Sequence, residues 1–130
     1  MGIEEGFLEI DLDNVPDPVL FEDGSVHQFT VKHAELVETK AGDPMFVFRL
    51  ECQDEAEADT TFHQIAITPG NELLARRDLK DMCLGFGYPY QGTGKVEAAG
   101  FVGLTGSCKM EQESYKGQLR NNVKSVVYQR

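Results

Sequence analysis

Apolar residues alternate with polar ones in five stretches of this 130-residue chain, and they recur at helical spacing in only one. The clearest alternation is "MFVFRLEC", residues 45–52, in which four side chains share one face: Phe46, Phe48, Leu50 and Cys52. Similar runs occupy residues 26–38, 60–68, 101–114 and 118–129. The order is therefore three strands, one helix and two strands, which predicts an all-β fold with a single helix.

The helical spacing lies in "PGNELLARRDLKDMCLGFG", residues 69–87. Its periodic apolar residues are Leu73, Leu74, Leu79, Met82, Cys83 and Phe86. Asn71 can cap the start of the helix, and Gly85 or Gly87 can end it. We therefore expect the helix between the third and fourth strands.

The strand patterns also predict which side chains point inward. In the first strand, Phe29 and Val31 share one face and Ala34 and Leu36 the other, which indicates a bulge. The inward residues expected in the last two strands are Val102, Leu104, Cys108, Met110, Leu119, Val123 and Val127. Lys109, Arg120 and Lys124 should then point outward.

Five strands with a helix after the third follow the order of a small closed barrel, in which the helix plugs one end. Closure would explain how short, half-apolar strands avoid exposed edges.

Charge is distributed unevenly along the chain. The formal net charge is −10, but residues 1–60 hold 16 acidic and 3 basic residues, whereas residues 61–130 hold 6 acidic and 9 basic residues. The segment from Tyr115 to Arg130 carries four bases and no acid. An acidic protein repels nucleic acid at long range, yet a local basic stripe can still bind it.

Three motifs in order resemble a known family: "ETKAGDPMFVFRL", "LLARRDLKDMCLGFG" and "YKGQLRNNVKSV". The chain resembles, over residues 7–128, the small phage-encoded OB-fold proteins long catalogued as a domain of unknown function. These proteins are found among phage replication and recombination genes. The resemblance implies a five-stranded OB-like closed barrel over residues 25–130, preceded by an acidic arm or edge strand over residues 1–24. It also implies low-specificity binding of single-stranded DNA in the host cytoplasm.

Such binding needs cations that follow phosphates and flat side chains on which bases stack. The cations that we expect to face outward or lie at the hairpin tip are Arg49, Lys109, Lys116, Arg120 and Lys124. The stacking candidates near loops or strand ends are Phe62, Tyr90, Tyr115 and Tyr88. Outward bases on a strand are often merely solvated, so the hypothesis depends on several weak signals converging on one hairpin.

Other interpretations stay open at this point. The barrel could be a protein-interaction or structural phage module whose acidic half docks a basic partner, such as a recombination or replication protein. The arm could dock, be disordered or compete with DNA for the basic track. Small binders of this kind often pair two barrels, so a homodimer is also open.

Signatures of enzymes and cofactors are absent from the sequence. "YQGTGK" lacks the first glycine and the final Ser or Thr of a phosphate-binding loop. Three histidines (His27, His33, His63) and three cysteines (Cys52, Cys83, Cys108) show no zinc-ligand spacing. We therefore expect no catalysis, cofactor or metal. The acidic N-terminus lacks a secretion signal, and no stretch approaches the roughly 20 apolar residues of a membrane span, which favours the cytoplasm.

Overall fold

The computed structural model describes residues 6, 9–14, 19–55, 58–91 and 94–128. Its antiparallel sheet contains β1 (Val26–Glu38), β2 (Pro44–Cys52), β3 (Thr61–Ala66), β4 (Thr105–Tyr115) and β5 (Gln118–Val127). Helix α1 (Glu72–Phe86) lies between β3 and β4, and a short 3-10 helix (Ala98–Phe101) precedes β4. The mostly-β class and the position of the helix are confirmed.

The strands are hydrogen-bonded in the order β3-β2-β1-β4-β5, so β3 and β5 are the two sheet edges. Within the described part of the chain, no backbone hydrogen bonds pair β3 with β5. The sheet is therefore open between its edges, and the closed barrel stays a prediction. Among the same residues, no helix has the length and apolar character needed to cross a lipid bilayer.

The core is formed by the inward faces of the strands. The predicted alternation in β2 is confirmed, since Phe46, Phe48, Leu50 and Cys52 are all buried. Burial of each phenylalanine contributes about 2–3 kcal/mol relative to an exposed ring. The predicted bulge in β1 is also confirmed, between Val31 and His33, and it keeps Ala34 on the buried side.

Two expected core positions in β5 are wrong. Leu119 and Val127 are 54% and 40% exposed, whereas Val126 is buried. The cause is a bulge: Lys109 pairs with Ser125 and Met110 with Val123, so β5 contains one extra residue, Lys124. Because of the extra residue, Val126 points inward in place of Val127. Leu119 is exposed for another reason, since it lies near the hairpin tip, beyond the core.

The start of β4 also differs from expectation. Its first residue is Thr105, because the chain from Ala98 to Phe101 forms the 3-10 helix and buries the Phe101 ring. Val102 follows that helix and is 49% exposed, so its predicted inward position is wrong.

Helix α1 begins after Asn71 and ends at Gly87, which adopts a left-handed φ of 75°. Its buried residues are Ala75, Met82, Cys83 and Phe86, while Leu73 and Leu74, which belong to the periodic apolar set, are exposed. Gly106 explains how the helix approaches β4. A Cβ there would lie 2.7 Å from a ring carbon of Phe86, so only glycine fits without displacement.

Residues 19–25, which we call the anchor segment, run beside the β4–β5 hairpin. Phe21 is buried, its N–H donates to Asn121 Oδ1 (2.9 Å), and its carbonyl accepts from Gln112 Nε2 (2.8 Å). Gly24 N–H donates to the Met110 carbonyl (2.7 Å), so β4 also pairs with the chain just before the first residue of β1. The described residues of the 1–24 arm contain no strand, and part of that arm lies outside the described residues.

Candidate nucleic-acid interface

The hairpin between β4 and β5 turns at Lys116 and Gly117, with φ of 50° and 79°. Two successive positive φ values define a type I′ turn, the geometry that matches the twist of adjacent strands. Lysine rarely adopts this conformation, so a cation is held at the tip at some cost in backbone strain. The expected position of Lys116 at the hairpin tip is confirmed.

Two cationic side chains lie close to the ring of Tyr115. The Arg120 guanidinium carbon lies 4.2 Å from the ring centroid and the Lys116 Nζ lies 5.3 Å from it. Both distances are within the range of cation–π attraction. Tyr115 is 49% exposed, so the hairpin tip presents an aromatic and cationic surface.

Acidic side chains interrupt the expected basic track. Glu113 is opposite Arg120 in the sheet, with a carboxylate–guanidinium distance of 3.7 Å. Glu111, two residues away on the same face, accepts a hydrogen bond from Asn122 Nδ2 (3.1 Å). Exposed pairs of the Glu113–Arg120 kind contribute about 0–1 kcal/mol, so a phosphate can compete for the guanidinium.

A second pairing of an aromatic ring with a cation lies on the opposite sheet edge. Phe62 in β3 is 55% exposed, and its cross-strand partner in β2 is Arg49. Partners in an antiparallel pair share a face, so Arg49 and Phe62 lie next to each other on the outside of the sheet.

These two edges face each other across a cavity of about 670 Å³, which we call the sheet-edge groove. Its lining includes Phe62 and His63 from β3, and Tyr115 and Arg120 from the hairpin. Asp59 and Glu113 add negative charge. Burial lowers the pKa of His63, an effect that nearby Asp78 partly opposes, so the imidazole is neutral at pH 7.

The remaining predicted site residues lie elsewhere. Lys109 is half-buried in β4, paired with Val26 on one side and Ser125 on the other. Lys124 is exposed at the β5 bulge. Neither lysine lines the sheet-edge groove. Of the nine predicted residues, three line the groove: Phe62, Tyr115 and Arg120. Lys116 lies beside Tyr115 at the hairpin tip, and Arg49 is the cross-strand partner of Phe62.

Tyr90 is half-buried in a different cavity of about 460 Å³, which lies between α1 and the segment formed by Tyr90 and residues 94–96 and which we call the helix groove. Among the described residues, four basic side chains line it, namely Arg76, Arg77, Lys80 and Lys95, and no acidic one does. This basic surface was not predicted from the sequence, although the spacing of Arg76 and Lys80, four residues apart on a helix, was a usable signal.

A group of three potential metal ligands was missed as well. His27, Cys52 and Asp54 converge where β1 begins and β2 ends. His27 and Cys52 are 25 residues apart, which matches no known spacing of metal ligands. Only the pairing of β1 with β2 brings them together.

The chain matches no protein-family model, and no curated protein matches its sequence.

Proposed function

We propose that the protein binds single-stranded DNA with low sequence preference, through the sheet-edge groove. The observation that carries this proposal is the pair of exposed rings, Phe62 of the edge strand β3 and Tyr115 at the tip of the β4–β5 hairpin, which both line one groove. Each ring has an arginine beside it, Arg49 in register with Phe62 and Arg120 over Tyr115.

This arrangement supplies both interactions that a single strand requires. Phosphates would follow Arg49, Lys116 and Arg120, and bases would stack on the two rings or on the guanidinium plane of Arg120. Stacking contributes about 1–3 kcal/mol per base and depends little on base identity, which accounts for the low sequence preference.

The same proposal includes an OB-like barrel. The strand order and the shared groove between β3 and β5 support it, since closing that groove would join the two edges. The resemblance to phage proteins supports a non-catalytic role in replication or recombination within the host cytoplasm.

Charge limits the affinity that this site can reach. The protein as a whole has a formal net charge of −10, and the acidic residues Asp59 and Glu113 line the groove itself. We therefore expect micromolar binding that depends steeply on salt, because cation contacts to phosphate release counterions.

Titration of the protein with fluorescent oligo-dT at two salt concentrations tests the proposal. We expect saturable binding at low salt that weakens as salt rises, and loss of binding when Lys116 and Arg120 are replaced by glutamate. A folded sample that ignores oligo-dT at low salt would instead favour the protein-interaction module.

A further inference from the structure

Three side chains with different donor atoms meet beside the anchor segment. His27 lies near the start of β1, Cys52 is the last residue of β2, and Asp54 lies in the following loop. One ring nitrogen, the sulfur and a carboxylate oxygen all lie within 4.8 Å of one another. Nitrogen, sulfur and oxygen ligands in such proximity are the set that Zn²⁺ accepts in proteins.

The hydrogen bonds around His27 fix which ring nitrogen faces this group. Ser25 Oγ donates to the Glu22 carbonyl (2.6 Å), so the same oxygen accepts from His27 Nε2–H (3.1 Å). In a neutral imidazole, Nδ1 then carries a lone pair. It lies 2.9 Å from Asp54 Oδ1, which also carries lone pairs. Two such atoms at this distance require a proton or a metal ion between them.

We propose that His27 Nδ1, Cys52 Sγ and the Asp54 carboxylate form a site for a divalent transition metal ion, with Zn²⁺ the best match. A thiolate and an imidazole select Zn²⁺ over Mg²⁺ and Ca²⁺, which prefer oxygen ligands. Asp54 has a half-exposed side chain, so water can take the fourth tetrahedral position.

The surroundings resemble the outer shell of a metal site. Ser25 orients the imidazole through Nε2, and Gln28 N–H donates to Asp54 Oδ2 (3.0 Å), which leaves Oδ1 directed at His27 and Cys52. Such partners fix the tautomer and the orientation of the ligands before the ion arrives.

Binding requires one bond to break at the cysteine. Cys52 Sγ–H donates to Asp54 Oδ1 (3.1 Å) without the ion. When Zn²⁺ binds, the S–H bond breaks, the proton passes to solvent, and the sulfur electron pair forms the Zn–S bond. The ion keeps its charge of 2+, so no oxidant or reductant takes part.

The ion would stabilise the contact between the anchor segment and the sheet. His27 stacks on Phe21, with ring centroids 3.9 Å apart and an interplanar angle of 21°. A metal that holds His27 to the end of β2 therefore also holds the surface against which Phe21 packs.

Titration of the chelator-treated full-length protein with Co²⁺ and Zn²⁺ tests this proposal. We expect one ion per chain, a sulfur-to-cobalt charge-transfer absorption band, release of at least one proton per ion, and a higher unfolding temperature with Zn²⁺. Cys52→Ser, His27→Gln and Asp54→Asn should each weaken binding by about 100-fold or more.

Two matched variants serve as controls. His33→Gln removes an exposed histidine of the same strand, and Cys83→Ala removes a buried thiol of the helix; both should keep the wild-type affinity. A wild-type cobalt spectrum without the sulfur band would overturn the proposal, whatever the stability of the variants. Unchanged affinity in folded His27→Gln and Asp54→Asn proteins would overturn it too.

Discussion

The sheet-edge groove and the helix groove are both lined by basic residues, but they differ in their acidic residues and in the exposure of their aromatic rings. The sheet-edge groove presents two exposed rings, each beside an arginine, and includes Asp59 and Glu113. In the part of the chain that the structure describes, the helix groove is lined by four basic residues and no acidic one, and its aromatic ring, Tyr90, is half-buried against the core. Cation number alone would select the helix groove.

The difference shows why exposed aromatic surface decides the choice. Cations attract any polyanion, whereas bases need a flat surface that is free to stack. Leu73 and Arg76 give the helix groove an apolar and basic lining without such a surface. The proposed function therefore assigns DNA to the groove with fewer basic residues. This assignment can be tested by changing the residues of one groove at a time.

Reversing charge in each groove should give the largest contrast. Lys116→Glu with Arg120→Glu, and Arg76→Glu with Arg77→Glu, both change the formal net charge from −10 to −14. The first pair should weaken oligo-dT binding by about 100-fold because it removes local phosphate contacts, and the second by about threefold or less. Fluorescence anisotropy at one fixed salt concentration measures both. Equal losses would mean that only overall charge matters.

Removing an aromatic ring should have the next largest effect. Phe62→Ala and Tyr115→Ala should each weaken binding by about tenfold, through the loss of one stacked base. Phe62 is exposed, so circular dichroism should show little change in stability. Leu73→Ala, an exposed apolar truncation in the helix groove, is the control and should leave the affinity unchanged.

The salt dependence of binding should distinguish the grooves more finely. Arg49→Gln should reduce the slope of log affinity against log salt by about 0.7, the value for one phosphate contact with a single strand. Arg76→Gln, which removes one cation from the helix groove, should leave the slope as it is. A reduced slope in Arg76→Gln would place phosphate at the helix instead.

The smallest expected effect concerns the hairpin tip, where function and stability oppose each other. Lys116 has a φ of 50°, which asparagine tolerates better, so Lys116→Asn should raise the free energy of unfolding by about 0.5 kcal/mol. The same variant should weaken oligo-dT binding by about threefold. Urea denaturation and anisotropy measure the two changes, and a variant that binds as well as wild type would remove Lys116 from the site.

Local sequence signals predicted the parts of the fold that depend on local physics. The alternation of Phe46, Phe48 and Leu50 identified β2, and Gly87 is one of the two glycines that were expected to end α1. Val123 is buried as predicted, but the buried side of β5 beyond it could not be predicted, because the extra residue Lys124 is defined only by its pairing with β4. Every inward position after that bulge is shifted by one residue.

The candidate site was predicted in part for the same reason. The turn at Lys116 and the cations of β5 are adjacent in sequence, so they could be identified together. That Phe62 and Tyr115 line the same groove depends on β3 and β5 being the two sheet edges. The convergence of His27 with Cys52 and Asp54 likewise needed the pairing of β1 with β2.

The most direct test of the central claim is to map oligo-dT onto the backbone amides of the protein by ¹H–¹⁵N NMR. The account predicts that the amide signals of Phe62, Tyr115 and Arg120 shift progressively with added oligo-dT, while those of Arg76, Arg77 and Tyr90 stay in place. Shifts confined to the helix groove, or no shifts at low salt, would contradict it.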